Sequence, residues 1–469
     1  MPARIHKSPF RDLNLVQDDL LSFLLSNSRN HPADKPLFVD AISGESYTYA
    51  ETIRRTKSLA HGLRQLGVKP GDIVGVLHQL TVSGAQYIIA HETLIDTART
   101  AAAKGTKLRH ILRDRLATTC PSTEPLVSVP KERLATQPAF ICFSSGTTGA
   151  AKGVEISHNN VTANIQQWQE LYYSEVAPSP TAVAFLPFSH IYAINAIICG
   201  GLYRGTTMVV LPRFDLDVYL RSIQNYKPDE LHLRAPHHVG CGALSAELGD
   251  AVEKRFKDAY GTTVHCHQGW GLTETSPAVT GIHTSHWHMR RTVGCVGPNM
   301  EIRLVDNDTG EDVTDWAQQG EVWVRGPNVV IGYYGNEEAT KESFHVDEEG
   351  RRWFKTGDIA TIDADGFVVI RDRIKEMIKY KGLQVIPSEL EGKLLQHPTS
   401  RTAASPRSDA TPKSVVDGIH AWLNERVANH KKLRGGIRVV DAIPKSPSGK
   451  ILRRVLKDSL KAKPTASKL

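Results

Sequence analysis

Two hydrophobic periodicities alternate along roughly the first 270 residues of the chain. Short continuous apolar runs, such as those at 139–143 and 207–211, are typical of buried strands. Apolar residues spaced three and four apart at 14–27 and 216–226 predict helices that bury one face. A Thr-x-x-Glu capping box beginning at Thr48 predicts the start of another helix. Helices that alternate with strands in this way predict an α/β layered domain.

The pattern changes at about residue 292, where strand-like segments joined by Asn-Asp-Thr-Gly and Asp-Gly turns replace the alternation. This predicts a β-rich subdomain over about 292–373, which completes a large N-terminal domain of residues 1–373. After Arg373 the chain becomes strongly charged, and we expect a hinge there. Residues 374–469 are predicted to form a small, mobile α+β C-terminal lid domain.

A loop rich in glycine and hydroxyl side chains follows the apolar run at 139–143. Glycine lets backbone N–H groups curl around an anion, hydroxyls add donors, and lysine adds positive charge. The segment therefore indicates a site for a polyphosphate such as ATP, although a flexible surface turn has the same composition. The candidate ATP-binding residues of this loop are Ser144, Ser145, Gly146, Thr147, Thr148, Gly149 and Lys152.

The spacing of this loop excludes an ordinary P-loop NTPase, because Lys152 is preceded by alanine and followed by glycine. The loop resembles the phosphate loop of the adenylate-forming acyl-CoA synthetase superfamily, whose pattern is Ser-Ser/Thr-Gly-Thr-Thr-Gly-x-x-Lys-Gly. Further segments resemble other motifs of that family, in the family's order, over residues 144–454. The sequence near 379–384 resembles the corresponding segment of the 4-coumarate-CoA ligase-like branch.

The segment Leu-Pro-Phe-Ser-His-Ile-Tyr, which ends at Tyr192, is one of these resemblances. A histidine that precedes an apolar helix is, by itself, more often a packed residue than a catalytic one. In the family, the histidine at this place lines the acyl pocket and gates thioester formation. The resemblance therefore implies a catalytic role for His190 and a place beside the acyl group for Tyr192.

The segment Gly-Trp-Gly-Leu-Thr-Glu at 269–274 resembles the family's nucleotide motif. A flat base can lie against glycine backbone and an aromatic ring, while hydroxyl and carboxylate oxygens suit phosphate and Mg²⁺. A loop with a structural tryptophan is the alternative. The resemblance implies that Glu274 is a magnesium ligand. It also implies four ATP-binding residues, Gly269, Trp270, Gly271 and Thr273.

Family positions also lie around the predicted hinge. Asp358 follows a tight turn and can accept both ribose hydroxyls of ATP, and the resemblance implies that Arg373 assists it. Lys375 occupies the family's hinge position and is a second catalytic candidate. The candidates for the thioester step with coenzyme A are Lys379, Lys381, Gly382 and Gln384. A solvated charged face is the alternative explanation for these lysines.

The segment Pro-Lys-Ser-Pro-Ser-Gly-Lys at 444–450 resembles the family's motif around its catalytic lysine. A lysine on a mobile domain can reach the α-phosphate and the carboxylate, where it stabilises the charge that builds during in-line attack. Without the other motifs, Lys450 would be taken for a surface lysine.

Composition and charge exclude several other classes. The 469 residues are 40% hydrophobic and 23% charged, as in ordinary soluble globular proteins. The net charge of +7 is mild and gives no case for nucleic-acid binding. No apolar stretch approaches transmembrane length, and six scattered cysteines indicate reduced thiols in an intracellular protein. The ending Ser467-Lys468-Leu469 is read by the peroxisomal import receptor, which predicts a peroxisomal location.

The resemblance implies an AMP-forming acid–thiol ligase that uses ATP, Mg²⁺ and coenzyme A. Its small-molecule carboxylic acid, whether fatty, phenylpropanoid or a specialised-metabolite precursor, would be converted to acyl-AMP and then transferred to coenzyme A. Two alternatives stay open. One is an acyl-adenylate-forming enzyme with a different acceptor, and the other is a degenerate nucleotide-binding relative without turnover.

Three places at which the chain is shorter than the family's pattern favour the degenerate relative. They lie near 80–84, near 238–240 and within 397–413. Loss of a central strand leaves neighbouring backbone groups without partners, at about 1–3 kcal/mol for each buried group. A retained set of site residues favours the enzyme instead. That set is Lys152, Glu274, Asp358, Arg373 and Lys450.

Overall fold

The structure is a computed structural model of the full chain, and it combines helices with sheets as the α/β class requires. The residues that it describes are 4–75, 85–90, 95–102, 110–113, 126–144, 151–173, 180–231, 250, 253–258, 261, 263, 265–266, 268–286, 288–289, 292–316, 318–381, 383–385, 387–395, 397, 412–440, 443–444, 455–456 and 458.

Helices in this part of the chain cover the sheets and connect their strands. The α-helices are Leu20–Leu25, Tyr49–Gln65, Ile95–Ala102, His158–Tyr173, Gly200–Arg204, Leu216–Tyr226, Glu337–Ser343, Pro387–Leu395 and Pro412–Asn424. A π-helix spans Ala193–Cys199, and 3₁₀ turns span Lys131–Arg133, Thr273–Thr275, Thr284–His286 and Asn429–Lys431.

Two sheets with parallel strands form the α/β part of the fold. The larger has the strand order Glu230–Leu231, Thr181–Ala184, Thr207–Val210, Pro36–Asp40 and Ser46–Thr48, and only the last of these runs antiparallel to its neighbour. The smaller has the order Val74–Gly75, Tyr87–Ala90 and His110–Arg113. Parallel strands with helical crossovers confirm the expected α/β layering.

Antiparallel sheets make up the rest. A six-stranded sheet has the order His6–Lys7, Glu301–Val305, Gly320–Arg325, Arg352–Ile362 and Phe344–Val346, and Val368–Arg373 also pairs with the fourth strand. One three-stranded sheet comprises Gly269–Gly271, Ala278–Gly281 and Cys295–Val296. A second comprises Gly332–Tyr333, Lys152–Ser157 and Pro138–Ser144. A hairpin pairs Ile378–Tyr380 with Leu383–Val385.

The β-rich sheet buries every second side chain of its strand Gly320–Arg325, as period-two alternation requires. Val322 and Val324 are fully buried, and they pack in one core cluster with Phe354 and Ile302. The structure therefore confirms the strands that the sequence pattern predicts in this region. The division into domains at 373 stays a prediction.

The helix predicted at 14–27 is wrong at its start, since the helix begins only at Leu20. Before it, the chain is extended and is held by distant side chains. Asn299 exchanges two 3.0 Å hydrogen bonds with the backbone of Leu13, and the Gln166 amide oxygen accepts from the backbone of Val16 at 2.9 Å. Asp19 then caps the helix. Apolar spacing alone does not reveal these contacts.

Other predicted boundaries agree more closely. The helix after Thr48 begins at Tyr49, because the Thr48 hydroxyl accepts from the backbone N–H of Glu51 at 3.2 Å. It ends before Gly67, whose φ of +83° is readily adopted only by glycine. Among the described residues, no helix is long and apolar enough to cross a membrane. The four cysteines in the same part of the chain are free thiols.

One buried amide ties the helix His158–Tyr173 to the segment that leads into the strand Gly332–Tyr333. Asn160 is 5% exposed, and its Nδ2 donates to the carbonyl oxygens of Pro327 and Val329 at 2.8 and 2.9 Å. Its Oδ1 accepts from the backbone of Ser157 at 2.9 Å. One side chain thus satisfies three backbone groups, two of which lie far away in sequence.

We expect Asn160→Ala to lower the free energy of unfolding by about 2–3 kcal/mol, because it leaves buried backbone groups without partners. Urea denaturation would measure this. The exposed helical residue Asn225 supplies the control, since Asn225→Ala should change stability by no more than about 0.5 kcal/mol. Equal effects of the two substitutions would contradict the assigned role of Asn160.

Candidate active site

Two antiparallel strands flank the predicted phosphate loop. Its flanking strands, Pro138–Ser144 and Lys152–Ser157, are antiparallel, and Ser144 pairs directly with Lys152. Ser145, Gly146, Thr147, Thr148 and Gly149 lie outside the described residues. The hairpin therefore fixes both ends of the loop.

Lys152 and Glu274 meet through a tyrosine that the sequence motifs do not include. The ammonium nitrogen of Lys152 lies 4.5 Å from the centroid of the Tyr333 ring. The hydroxyl of the same tyrosine donates to Glu274 Oε1 at 2.9 Å. Burial and the neighbouring Glu274 carboxylate raise the pKa of the Tyr333 hydroxyl, which therefore stays protonated and acts as the donor.

Two features of this cluster suit the phosphates of a nucleotide and the cation that they carry. Within the described part of the chain, Lys152 has no carboxylate partner and Glu274 Oε2 accepts no hydrogen bond. Glu274 is 8% exposed, so its charge calls for compensation. Mg²⁺ is commonly held by one or two carboxylates together with substrate phosphates. The residues present thus fit Mg²⁺ carried by a nucleotide.

A second cluster forms around Asp358, which is completely buried. Trp270 Nε1 donates to its Oδ2 at 2.9 Å, and Arg373 Nε donates to its Oδ1 at 2.8 Å. Asp358 and Arg373 are direct partners across two antiparallel strands. The three residues singled out for adenosine binding are therefore in contact, although Trp270 is 88 residues from Asp358 in sequence.

The glycines beside Trp270 are required by close packing within the protein. A Cβ at Gly271 would lie 1.8 Å from the carbonyl oxygen of Pro277, and one at Gly269 would lie 2.2 Å from the Tyr172 hydroxyl. Trp270 itself is 5% exposed. Thr273 and Glu274 follow on a 3₁₀ turn, so a single segment contributes to both clusters.

His190 and Tyr192 lie where the strand Thr181–Ala184 leads into the π-helix. His190 Nδ1 accepts from the backbone N–H of Tyr192 at 3.2 Å, which fixes the imidazole against its own turn. The Tyr192 ring meets Trp168 edge-on, with centroids 5.9 Å apart. Tyr192 and Trp168 thus form one aromatic wall.

The remaining candidates are placed only in part. Lys375 is exposed and follows the strand that carries Arg373. Lys379 and Gln384 pair across the hairpin that begins at Ile378, and nothing is described of their side chains. Lys381 has a φ of +51° at its turn. Three further groups of predicted residues lie outside the described residues, namely Gly382, Lys450 and Ser467-Lys468-Leu469.

Comparison with known proteins gives an independent test. The family model described as AMP-binding enzyme matches residues 25–79, 75–239 and 231–334, which is more than half of the chain. The chain belongs to the AMP-binding enzyme family. The chain is 34% identical to 4-coumarate–CoA ligase-like 9 of Oryza sativa subsp. japonica over an alignment of 524 positions, gaps included, with 92% of each protein covered.

Other known proteins are similar to this chain over nearly their whole length. Peroxisomal OPC-8:0-CoA ligase 1 of Arabidopsis thaliana is 31% identical, with 96% of this chain and 94% of that protein covered. The O-succinylbenzoate coenzyme A synthetase of Bacillus subtilis, solved with ATP and magnesium, has a TM-score of 0.74 at 20% identity, with 94% and 100% covered. At that identity the solved structure shows the fold alone.

These matches confirm the expected superfamily, its 4-coumarate-CoA ligase-like branch and its fold. They also confirm the expected activity class, an AMP-forming acid–CoA ligase. The alignment with the rice protein is longer than this chain of 469 residues, so that relative has segments without a counterpart here. This agrees with the expectation that the chain is shortened.

Proposed function

We propose that this AMP-binding enzyme activates a small carboxylic acid with Mg·ATP and passes the acyl group to coenzyme A, using the residues singled out above. One observation carries the assignment of residues. Side chains from separate segments meet in two clusters, Lys152 with Glu274 and Trp270 with Asp358 and Arg373. Because the segment 269–275 contributes to both, the clusters lie side by side, as the phosphates and ribose of one nucleotide do.

Each cluster has chemistry suited to one part of ATP. Lys152 supplies positive charge to the phosphates, together with the loop that begins at Ser144. Glu274 holds Mg²⁺, which when bound neutralises phosphate charge. Asp358 accepts the ribose hydroxyls, because a carboxylate can accept from more than one donor. Arg373 orients the Asp358 carboxylate through its 2.8 Å hydrogen bond.

The acid binds beside His190 and Tyr192. The wall formed by Tyr192 and Trp168 supports an acid with an apolar or aromatic body, in keeping with relatives named for 4-coumarate and OPC-8:0. Phenylpropanoid, fatty and specialised-metabolite acids all have this character. Lys450 stabilises the charge that builds in the transition state of the adenylation step. The thioester step uses Lys375, Lys379, Lys381, Gly382 and Gln384.

We expect purified protein to catalyse ATP–pyrophosphate exchange that depends on a carboxylic acid, with aryl and fatty acids as the best members of a panel. Lys450→Ala should lower exchange at least about a hundredfold, because charge in the transition state loses its partner. Nucleotide binding by this variant should be unchanged. Lys413→Ala, an exposed lysine of the same C-terminal region, is the control.

Three outcomes would contradict parts of this proposal. Folded protein that binds ATP but exchanges no pyrophosphate with any acid would establish the degenerate nucleotide-binding relative instead. Exchange followed by no coenzyme A thioester would point to a different acceptor. Full exchange activity in Lys450→Ala would remove that residue from the mechanism.

The Asp358 cluster makes its own prediction about nucleotide choice. Native protein should prefer ATP over 2′-deoxy-ATP and 3′-deoxy-ATP by about tenfold in the exchange assay, because each analogue lacks a hydroxyl that would donate to the Asp358 carboxylate. Asp358→Asn should abolish this preference, and Trp270→Phe should reduce it. A preference that survives in Asp358→Asn would show that another residue binds the ribose.

We also propose a peroxisomal location, which is supported by the final Ser467-Lys468-Leu469 and by one relative named as peroxisomal. A fluorescent protein fused to the N-terminus should collect in peroxisomes, and removal of the last three residues should leave it in the cytosol. Punctate peroxisomal signal from the truncated protein would contradict the proposal.

A further inference from the structure

Tyr333 stands between the two residues that the proposed function assigns to the phosphates and the metal. Its ring face receives the Lys152 ammonium at 4.5 Å, and its hydroxyl donates to Glu274 Oε1 at 2.9 Å. One rigid side chain thus contacts a cation at its face and an anion at its edge.

The backbone holds Tyr333 firmly in this place. The strand Gly332–Tyr333 pairs with Lys152–Ser157, with Tyr333 opposite Val154. The Tyr333 backbone N–H donates to the Thr340 hydroxyl at 2.9 Å, and Tyr334 donates to the carbonyl of Gly153 at 2.7 Å. The phosphate-loop strand and the tyrosine therefore belong to one sheet and cannot move independently.

The Glu274 end is fixed as well. Its backbone carbonyl accepts from Val330 at 3.1 Å, on the chain that leads into Tyr333. The Tyr333 side chain is buried, 8% exposed, and its raised pKa keeps it a donor. A charge-assisted hydrogen bond is among the stronger ones in proteins, so it restricts the Glu274 carboxylate to one orientation.

We propose that Tyr333 is a positioning residue that couples the phosphate-binding lysine to the metal-binding carboxylate. It orients Glu274 so that Oε2 stays available to a cation, and its ring holds the Lys152 ammonium in place for a phosphate. This inference rests on the proposed function of Lys152 and Glu274. It predicts that the Tyr333 hydroxyl contributes to the metal-dependent affinity and that the Tyr333 ring contributes to the metal-free affinity for nucleotide.

Binding of the non-reacting analogue α,β-methylene-ATP separates the two roles, because it requires no turnover. Titration calorimetry with Mg²⁺, and again with EDTA, gives the gain in affinity that the metal confers. Tyr333→Phe keeps the ring and deletes the hydroxyl, so this gain should fall about tenfold while metal-free affinity changes less than about twofold. Tyr333→Leu should also weaken metal-free binding, by about threefold, because Lys152 loses the ring.

Two further variants complete the design. Tyr334→Phe removes a hydroxyl from the adjacent residue and should leave both affinities unchanged. Glu274→Gln should remove the metal-dependent gain, and adding Tyr333→Phe to it should cause no further loss, since both act at one carboxylate. Melting curves identify any variant that fails to fold. If Tyr333→Leu fails to fold, the nearly isosteric Tyr333→Phe decides the question.

The outcomes distinguish this inference from the proposed function. If Glu274→Gln keeps the full metal-dependent gain, Glu274 is not the metal ligand and the assignment of the site is wrong. If Glu274→Gln loses the gain but Tyr333→Phe keeps it, the site stands and the positioning role of Tyr333 is wrong. Loss of affinity in Tyr333→Phe that is equal with Mg²⁺ and with EDTA would indicate a merely structural tyrosine.

Discussion

The buried carboxylate of Asp358 is the constraint on which the candidate site depends. An ionised group with no exposure is costly unless charged and polar partners surround it. Arg373 supplies the charge from a neighbouring strand of the same sheet, and Trp270 supplies a donor from a different sheet. Satisfying one charge therefore locks the three-stranded sheet that carries Trp270 to the six-stranded sheet that carries Asp358.

The segment 269–275 likewise connects two different sheets through single side chains. Trp270 reaches the β-rich sheet, whereas Glu274, one turn later, reaches Tyr333 and the sheet of the phosphate loop. Close packing of Gly271 against Pro277 leaves the segment little freedom. A short stretch of chain thus sets the spacing between the ribose-binding and phosphate-binding sides of the proposed nucleotide site.

Local signals explain which parts of this arrangement the sequence could reveal. The helix at 216–226 and the strand before the phosphate loop follow from the apolar pattern, and the order of the motifs is enough to indicate the family. Tyr333 escapes notice because a Gly-Tyr pair has no local meaning; its importance comes from pairing with a strand about 180 residues earlier. The late start of the helix at Leu20 likewise depends on Asn299.

The extended N-terminal segment has a consequence for how the molecule is made. Its strand His6–Lys7 pairs with Glu301–Val305, and Asn299 grips Leu13. About 300 residues separate these two strands, so a ribosome must add that length of chain before His6–Lys7 finds its partner, and this pairing is among the late steps of folding. During that interval the unpaired N-terminal strand is open to chaperones and to competing strands.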